Sequence, residues 1–285
     1  MKITECPRDA MQGIKEFIPT QTKIDYINQL LKVGFDTIDF GSFVSPRAIP
    51  QMADTAKVLN GLELTQDSSK LLAIVPNLRG ANDAAEFDEI TYMGFPFSIS
   101  ETFQKRNTNA TIEESLEKVE KIQNVCAQKN KKLLVYISMA FGNPYEDHWD
   151  VGVVEKWTEI LSTQYNVDIL ALSDTIGVSN KENISYLFSH LIPQFKNVEF
   201  GAHLHTTPDT WREKVEAAFV SGCRRFDGAI KGFGGCPMAK DDLTGNMPTE
   251  KVLEYLSEIS YDSGLNRAEF QKSMIHSAQV FPTHM

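Results

Sequence analysis

The sequence predicts a single-domain (β/α)₈ TIM barrel spanning residues 1–285, with an extra C-terminal helix. Three observations predict it. Short β-branched or apolar runs alternate with longer amphipathic stretches, the pattern of βα units around a parallel sheet. Eight such runs occur, enough to close a barrel. The chain has 285 residues, an ordinary length for one α/β barrel.

The expected strands are Lys2–Cys6, Thr37–Phe40, Lys70–Val75, Ile90–Phe95, Lys132–Met139, Asp168–Ser173, Val198–Leu204 and Arg224–Ile230. Helices fit between them. Thr22–Val33 places Ile24, Ile27, Leu30 and Leu31 on one stripe. Thr111–Gln128 opens with Thr111 and Glu114 in a capping-box pattern. Val154–Ser162, Lys181–Leu191, Asp209–Ser221 and Thr249–Ile259 continue the series, and Asn266–Val280 stands outside the repeat. No GxGxxG follows the first strand and no GxxxxGK[ST] occurs, which argues against an open nucleotide-binding sheet.

Composition narrows the function. The formal net charge is −10, whereas nucleic-acid and membrane-surface binding both need a basic face. Neither partner is expected. The four cysteines, Cys6, Cys126, Cys223 and Cys236, form no CxxC pair and read as free thiols in a reducing compartment. The N-terminus lacks an apolar signal region, and no apolar run approaches the roughly 20 residues of a membrane span. A cytoplasmic protein is expected.

Barrel chemistry sits at the C-terminal ends of strands. The first strand ends in Cys6-Pro7-Arg8-Asp9. Asp9 is a candidate metal carboxylate beside a guanidinium, or the two form an ion pair closing the barrel mouth. The seventh ends in His203-Leu204-His205, and alternation along a strand sends both imidazoles to one side. Two imidazoles at a barrel mouth suit a divalent metal. After the eighth come Gly232-Phe233-Gly234-Gly235-Cys236 and then Asn246. Cys236 on a glycine-rich loop is a candidate acid or base. Asn246 either offers an amide oxygen to a metal or caps the helix near Thr249. Asp174 follows the sixth strand as a base, a water anchor or a helix cap. A carboxylate, two histidines and an amide without cysteine favour Mg²⁺ or Mn²⁺ over structural zinc.

These strand ends together resemble the 3-hydroxy-3-methylglutaryl-CoA lyases. The carrying segments are PRDAMQ at 7–12, SFVSPR at 42–47, PQM at 50–52, SDTIGV at 173–178, HLH at 203–205, GFGGCPMA at 232–239 and GNMPTE at 245–250. The resemblance implies a metal-dependent lyase that splits 3-hydroxy-3-methylglutaryl-CoA into acetoacetate and acetyl-CoA, as in leucine degradation. It implies metal ligands at Asp9, His203, His205 and Asn246. It implies that Arg8 stabilises the thioester enolate and that Cys236 is an acid. It makes Asp174, or a water held by it, the base, with His203 as a relay, and it implies a homodimer. Five positions depart from the family pattern: Ala10 and Met11 stand for Gly-Leu, Thr206 for Asp, Asp39 for Glu at the end of the second strand, and Asn143 for a frequent Cys. Lys105 and Arg106 are candidates for the CoA phosphates or plain surface charges. The rival readings are a lyase for another 3-hydroxyacyl-CoA, a Claisen-type synthase, a 4-hydroxy-2-oxo acid aldolase and a non-catalytic binding barrel.

Overall fold

The computed structural model describes residues 1–235 and 244–281. Eight parallel strands close into a barrel in chain order. They are β1 (Lys2–Glu5), β2 (Thr37–Ser42), β3 (Lys70–Ile74), β4 (Ile90–Ser98), β5 (Lys132–Ser138), β6 (Ile169–Ser173), β7 (Glu199–His203) and β8 (Arg225–Gly228). The seam is β1 on β8, in register from Lys2 opposite Arg225 to Glu5 opposite Gly228. The predicted (β/α)₈ architecture with its additional C-terminal helix is the one observed.

Boundaries moved where local chemistry intervened. The fourth strand runs three residues beyond Phe95, through Pro96 to Ser98. Proline cannot donate to a ladder. Pro96 is tolerated because β4 meets β3 only as far as Gly94, so beyond that point the strand pairs with β5 alone. The eighth strand stops at Gly228, and the chain then turns at Ile230–Gly232 with Lys231 at φ 58°.

Four short helices were not anticipated: α1 (Pro7–Gln12), α3 (Thr55–Asn60), α4 (Leu78–Ala85) and α5 (Glu101–Thr108). Segments of six to eight residues are too short to show a 3.6-residue period. The longer helices lie near their predicted places: α2 (Thr20–Leu31), α6 (Ile112–Gln128), α7 (Val151–Glu159), α8 (Lys181–Gln194), α9 (Trp211–Val220), α10 (Thr249–Glu258) and α11 (Arg267–Val280). The capping box of α6 forms as read, with Thr111 and Glu114 each accepting from the other's backbone N–H.

The main core fills the layer between strands and helices, and a smaller cluster of Leu72, Tyr92, Leu134, Tyr136, Ile169 and Ala171 fills the barrel itself. The C-terminal helix α11 covers α2, where Tyr26 meets His276 and Phe281 edge-on, and Phe281 stacks on Phe233 beyond β8. Among the described residues no helix is long and apolar enough to cross a membrane.

Glu5 fastens the seam. Its carboxylate is buried and accepts from the Ile230 N–H at 2.8 Å and the Thr249 hydroxyl at 2.6 Å. Burial pushes its pKa up to about 8, against the lowering effect of those two hydrogen bonds. The unfolded chain releases this proton near the ordinary value of 4.5, while the folded protein keeps it until about pH 8. The unfolded state therefore binds fewer protons in that window, and Glu5 makes stability fall as pH rises through it. Urea unfolding of wild type between pH 4.5 and 8 should show this slope, and Glu5→Gln should flatten it.

Candidate active site

The first turn of α1 builds the site's base. Pro7 at the first helical position has no N–H to waste there. The turn then presents Arg8, Asp9 and Gln12. Gln12 Nε2 donates to Asp9 Oδ1 at 2.7 Å, and Arg8 Nη1 donates to Asp9 Oδ1 at 2.9 Å and to Gln12 Oε1 at 3.0 Å.

Asp39 holds the other edge of the guanidinium. Arg8 Nε lies 3.1 and 3.0 Å from the two Asp39 oxygens, and Nη2 lies 2.5 Å from Oδ2. A register shift between Asp39 and Gly41 bends β2 at this point. The aspartate, although shorter than the glutamate of the resembling family pattern, reaches Arg8 directly. Burial raises the Asp39 carboxyl to about 6, with Arg8 opposing it. Burial alone would weaken the Arg8 charge, but Asp39 and Asp9 outweigh it and its pKa is raised.

The two histidines are placed by different means. His203 ends β7 opposite Asp227 of β8, and its Nδ1 lies 3.2 Å from Asp227 Oδ2. His205 belongs to a separate two-residue strand, His205–Thr206, which pairs antiparallel with Gly245–Asn246 and sets Asn246 opposite His205. The rings still share one side, with centroids 5.6 Å apart. Asn246 Nδ2 donates to Asp9 Oδ2 at 2.8 Å and to the Phe233 carbonyl at 2.9 Å. It does not cap α10, whose cap position is Pro248. Gly234 passes so close that a Cβ there would lie 2.8 Å from Asp9 O and 2.9 Å from Asn246 Nδ2, at φ +84°.

These residues fit a divalent ion. Asp9, His203 and His205 each offer a ligand atom within 4.8 Å of the others. Asn246 Oδ1 and His205 Nδ1 are buried with no hydrogen-bond partner among the described residues, and such atoms are costly unless something binds them. Burial, then the neighbouring His203, lowers the His205 pKa to about 4, leaving the neutral imidazole that ligation requires. Burial raises the Asp9 carboxyl, but Arg8, His203 and His205 outweigh it and hold it below the ordinary value. For His203, burial lowers the pKa, and Asp227 and then Asp9 reverse the shift.

A cavity of about 570 Å³ opens above this cluster. Its lining includes Arg8, Asp9, His203 and His205, Tyr136 and Ser138 of β5, and Arg106 of α5, Asn109 just after α5 and Lys118 of α6.

The HMGL-like family matches residues 3–274. The chain belongs to that family. The cytoplasmic 3-hydroxy-3-methylglutaryl-CoA lyase of Rattus norvegicus is 33% identical over 93% of this chain and 77% of its own length. A 3-hydroxy-3-isohexenylglutaryl-CoA/hydroxymethylglutaryl-CoA lyase of Pseudomonas aeruginosa is 32% identical over 91% of this chain and 85% of its own. A structure of the Acinetobacter baumannii HMG-CoA lyase in complex with coenzyme A and 3-methylmalate superposes with a TM-score of 0.89 at 29% identity, covering 98% of this chain and 90% of that one.

Of the residues the sequence singled out, the structure brings Arg8, Asp9, Asp39, His203, His205 and Asn246 together. It does not bring Asp174 to the cavity. That carboxylate is buried, accepts from Ser179 and Lys214, and is not among the lining residues. Cys236 lies outside the described residues, although its chain neighbour Gly235 lines the cavity. Lys105 pairs with Glu101 at 2.9 Å on the surface, whereas Arg106 lines the cavity with its guanidinium 4.6 Å from the Tyr145 ring.

Sequence reasoning missed Gln12, Tyr136 and Asp227. Tyr136 packs edge-on against His203 at 5.4 Å. Asp227 had a signal, a single acid in the otherwise apolar stretch FDGAI of an expected central strand. A buried charge is kept only where it has a partner. A carboxylate on the far nitrogen fixes the orientation and proton of a metal-binding imidazole. Asp227→Asn should fold and should weaken divalent-ion binding by about 10- to 100-fold, read by isothermal titration of stripped protein with Mn²⁺.

Proposed function

We propose that this chain cleaves 3-hydroxy-3-methylglutaryl-CoA to acetoacetate and acetyl-CoA with a divalent ion, Mg²⁺ or Mn²⁺, at Asp9, His203, His205 and Asn246. The observation that carries the reading is the meeting of Arg8, Asp9, His203 and His205 in the lining of one cavity, with Asn246 hydrogen-bonded to Asp9. The lyase titles of the relatives support it. The acyl-CoA substrate is supported by the acyl-CoA lyase names of the relatives and by the coenzyme A complex of the Acinetobacter relative.

When bound, the ion supplies Lewis-acid polarisation of the substrate oxygens. Asp9, held by Arg8, Gln12 and Asn246, cannot swing away from its place. The reaction removes the C3 hydroxyl proton, breaks the C2–C3 bond and moves its electron pair onto the thioester. Arg8 meets that charge. Of its five N–H donors, Nε, one on Nη2 and both on Nη1 are engaged by Asp39, Asp9 and Gln12. One Nη2 hydrogen is left for the enolate oxygen. Protonation of that carbanion completes acetyl-CoA, and we assign the proton to Cys236.

The C3 hydroxyl proton is proposed to pass to a water in the cavity, since Asp174 is held by Ser179 and Lys214 outside the lining and Asp9, the one lining carboxylate among the described residues, is a proposed ligand. His203 keeps its Nδ1 on Asp227, so its Nε2 edge is the one that serves the site. Arg106 and Lys118 are proposed to meet the phosphates of the CoA, with Lys105 left as a surface charge. The same proposal includes action as a single domain, in leucine degradation, as a cytoplasmic homodimer.

Acetoacetate release from 3-hydroxy-3-methylglutaryl-CoA should be seen with Mn²⁺ or Mg²⁺ and vanish with a chelator. Full turnover in metal-stripped protein would overturn the reading. Arg8→Lys, a point charge in place of a planar fork, should fold and lose on the order of 10²-fold in kcat. Asp39→Asn should be crippled while Asp39→Glu is tolerated, since only the former removes the counter-charge of Arg8. Parallel assays with longer 3-hydroxyacyl-CoA substrates test the rival specificity.

A further inference from the structure

A buried ion pair outside the cavity stands directly behind the metal-site residues. Lys214, on α9, is 1% exposed at its side chain, and the Asp174 side chain is 0% exposed. A lysine ammonium has three hydrogens, and this one has three acceptors. They are Asp174 Oδ2 at 2.8 Å, the His205 carbonyl at 2.8 Å and the Gly177 carbonyl at 3.2 Å. Asp174 is equally committed. Its Oδ2 also accepts from the Ser179 hydroxyl at 2.5 Å and its Oδ1 from the Ser179 N–H at 3.1 Å. Neither group lines the cavity.

We propose that Lys214, with Asp174 as its counter-ion, is a positioning residue that holds the His205 backbone in ligating geometry. The inference rests on the metal-site reading above. A buried ion pair is weak as a source of stability, because the cost of desolvating both charges offsets their attraction. What this pair does supply is a fixed point. His205 sits in a strand of two residues, which has little pairing of its own to hold it. That strand is also the one against which Asn246 is set. Anchoring the His205 carbonyl therefore fixes two of the four proposed ligands. The Gly177 carbonyl ties the β6–α8 turn to the same ammonium. That turn abuts Thr244, where a Cβ on Gly177 would come within 2.5 Å of the Thr244 methyl. One ammonium thus braces the β6 turn, the His205 segment and the approach to Asn246.

The test measures Mn²⁺ binding to the stripped full-length chain, with free ion counted by electron paramagnetic resonance, beside thermal unfolding. Lys214→Met leaves the Asp174 carboxylate buried without its counter-charge and should melt at a lower temperature. Adding Asp174→Asn removes that charge and should restore most of the melting temperature. Both variants should bind Mn²⁺ at least about tenfold more weakly than wild type, the usual loss when an outer support of a metal ligand is removed. The double variant is decisive, because a pair that merely stabilised the fold would regain ion binding along with stability. Wild-type Mn²⁺ affinity in the stable double variant overturns the positioning role alone. Absence of Mn²⁺ binding in wild type overturns the metal-site reading and this inference with it.

Discussion

The site depends on one buried guanidinium between two carboxylates. Arg8 is 7% exposed and meets Asp39 along one edge and Asp9 along the other. Without it, two acidic groups would face each other in a medium that solvates neither. Breaking such a buried pair by removing one partner typically costs about 3–5 kcal/mol. The arrangement also joins two chain segments. Asp39 belongs to the second strand and Arg8 to the helix after the first, so their contact locks the mouth of the barrel where Asp9 must stand. The pairing of β2 with β3 shifts register between Asp39 and Gly41, beside this contact.

The closed register then converts chain-distant residues into neighbours. Parallel pairing sets His203 beside Asp227 and, on its other flank, beside Ser173. The short antiparallel pair sets Asn246 beside His205. Asp9, the two histidines and Asn246 arrive from three separate parts of the chain, and neighbouring side chains hold them. Gln12 and Arg8 hold Asp9, and Asp227 holds His203. Gly234 contributes by lacking a side chain, since any Cβ would push the loop off both Asp9 and Asn246.

Three departures from the family pattern take on physical meaning in the fold. Asp39 keeps the charge that Arg8 requires and keeps direct contact with it. Thr206 is buried opposite Gly245, one residue from a proposed ligand, and neutral where the family usually has an acid. Nearby, Lys214 and Asp174 form their own buried ion pair. Asn143, the third, organises its loop: its amide donates to the Asp147 carbonyl and its oxygen accepts from the Tyr145 and Asp147 N–H groups.

Much of the protein was legible in the chain itself. Alternating apolar runs, the capping box at Thr111 and the motifs PRDAMQ, HLH and GNMPTE follow from local periodicity and chain order, which are written along one dimension. They were enough to place eight strands, a barrel and the residues Arg8, Asp9, Asp39, His203, His205 and Asn246 at its mouth. What they could not convey was direction and partnership. Asp174 follows a strand as the others do, yet its carboxylate turns outward to Lys214, forty residues further along the chain. Asp227 carries no motif and becomes the partner of His203 only through the register of two strands. Asn246 could equally have capped a helix until a two-residue pairing assigned its amide to Asp9. Sequence determines which groups stand at the strand ends. The closure of the barrel, by fixing register and side-chain direction together, decides which of them meet.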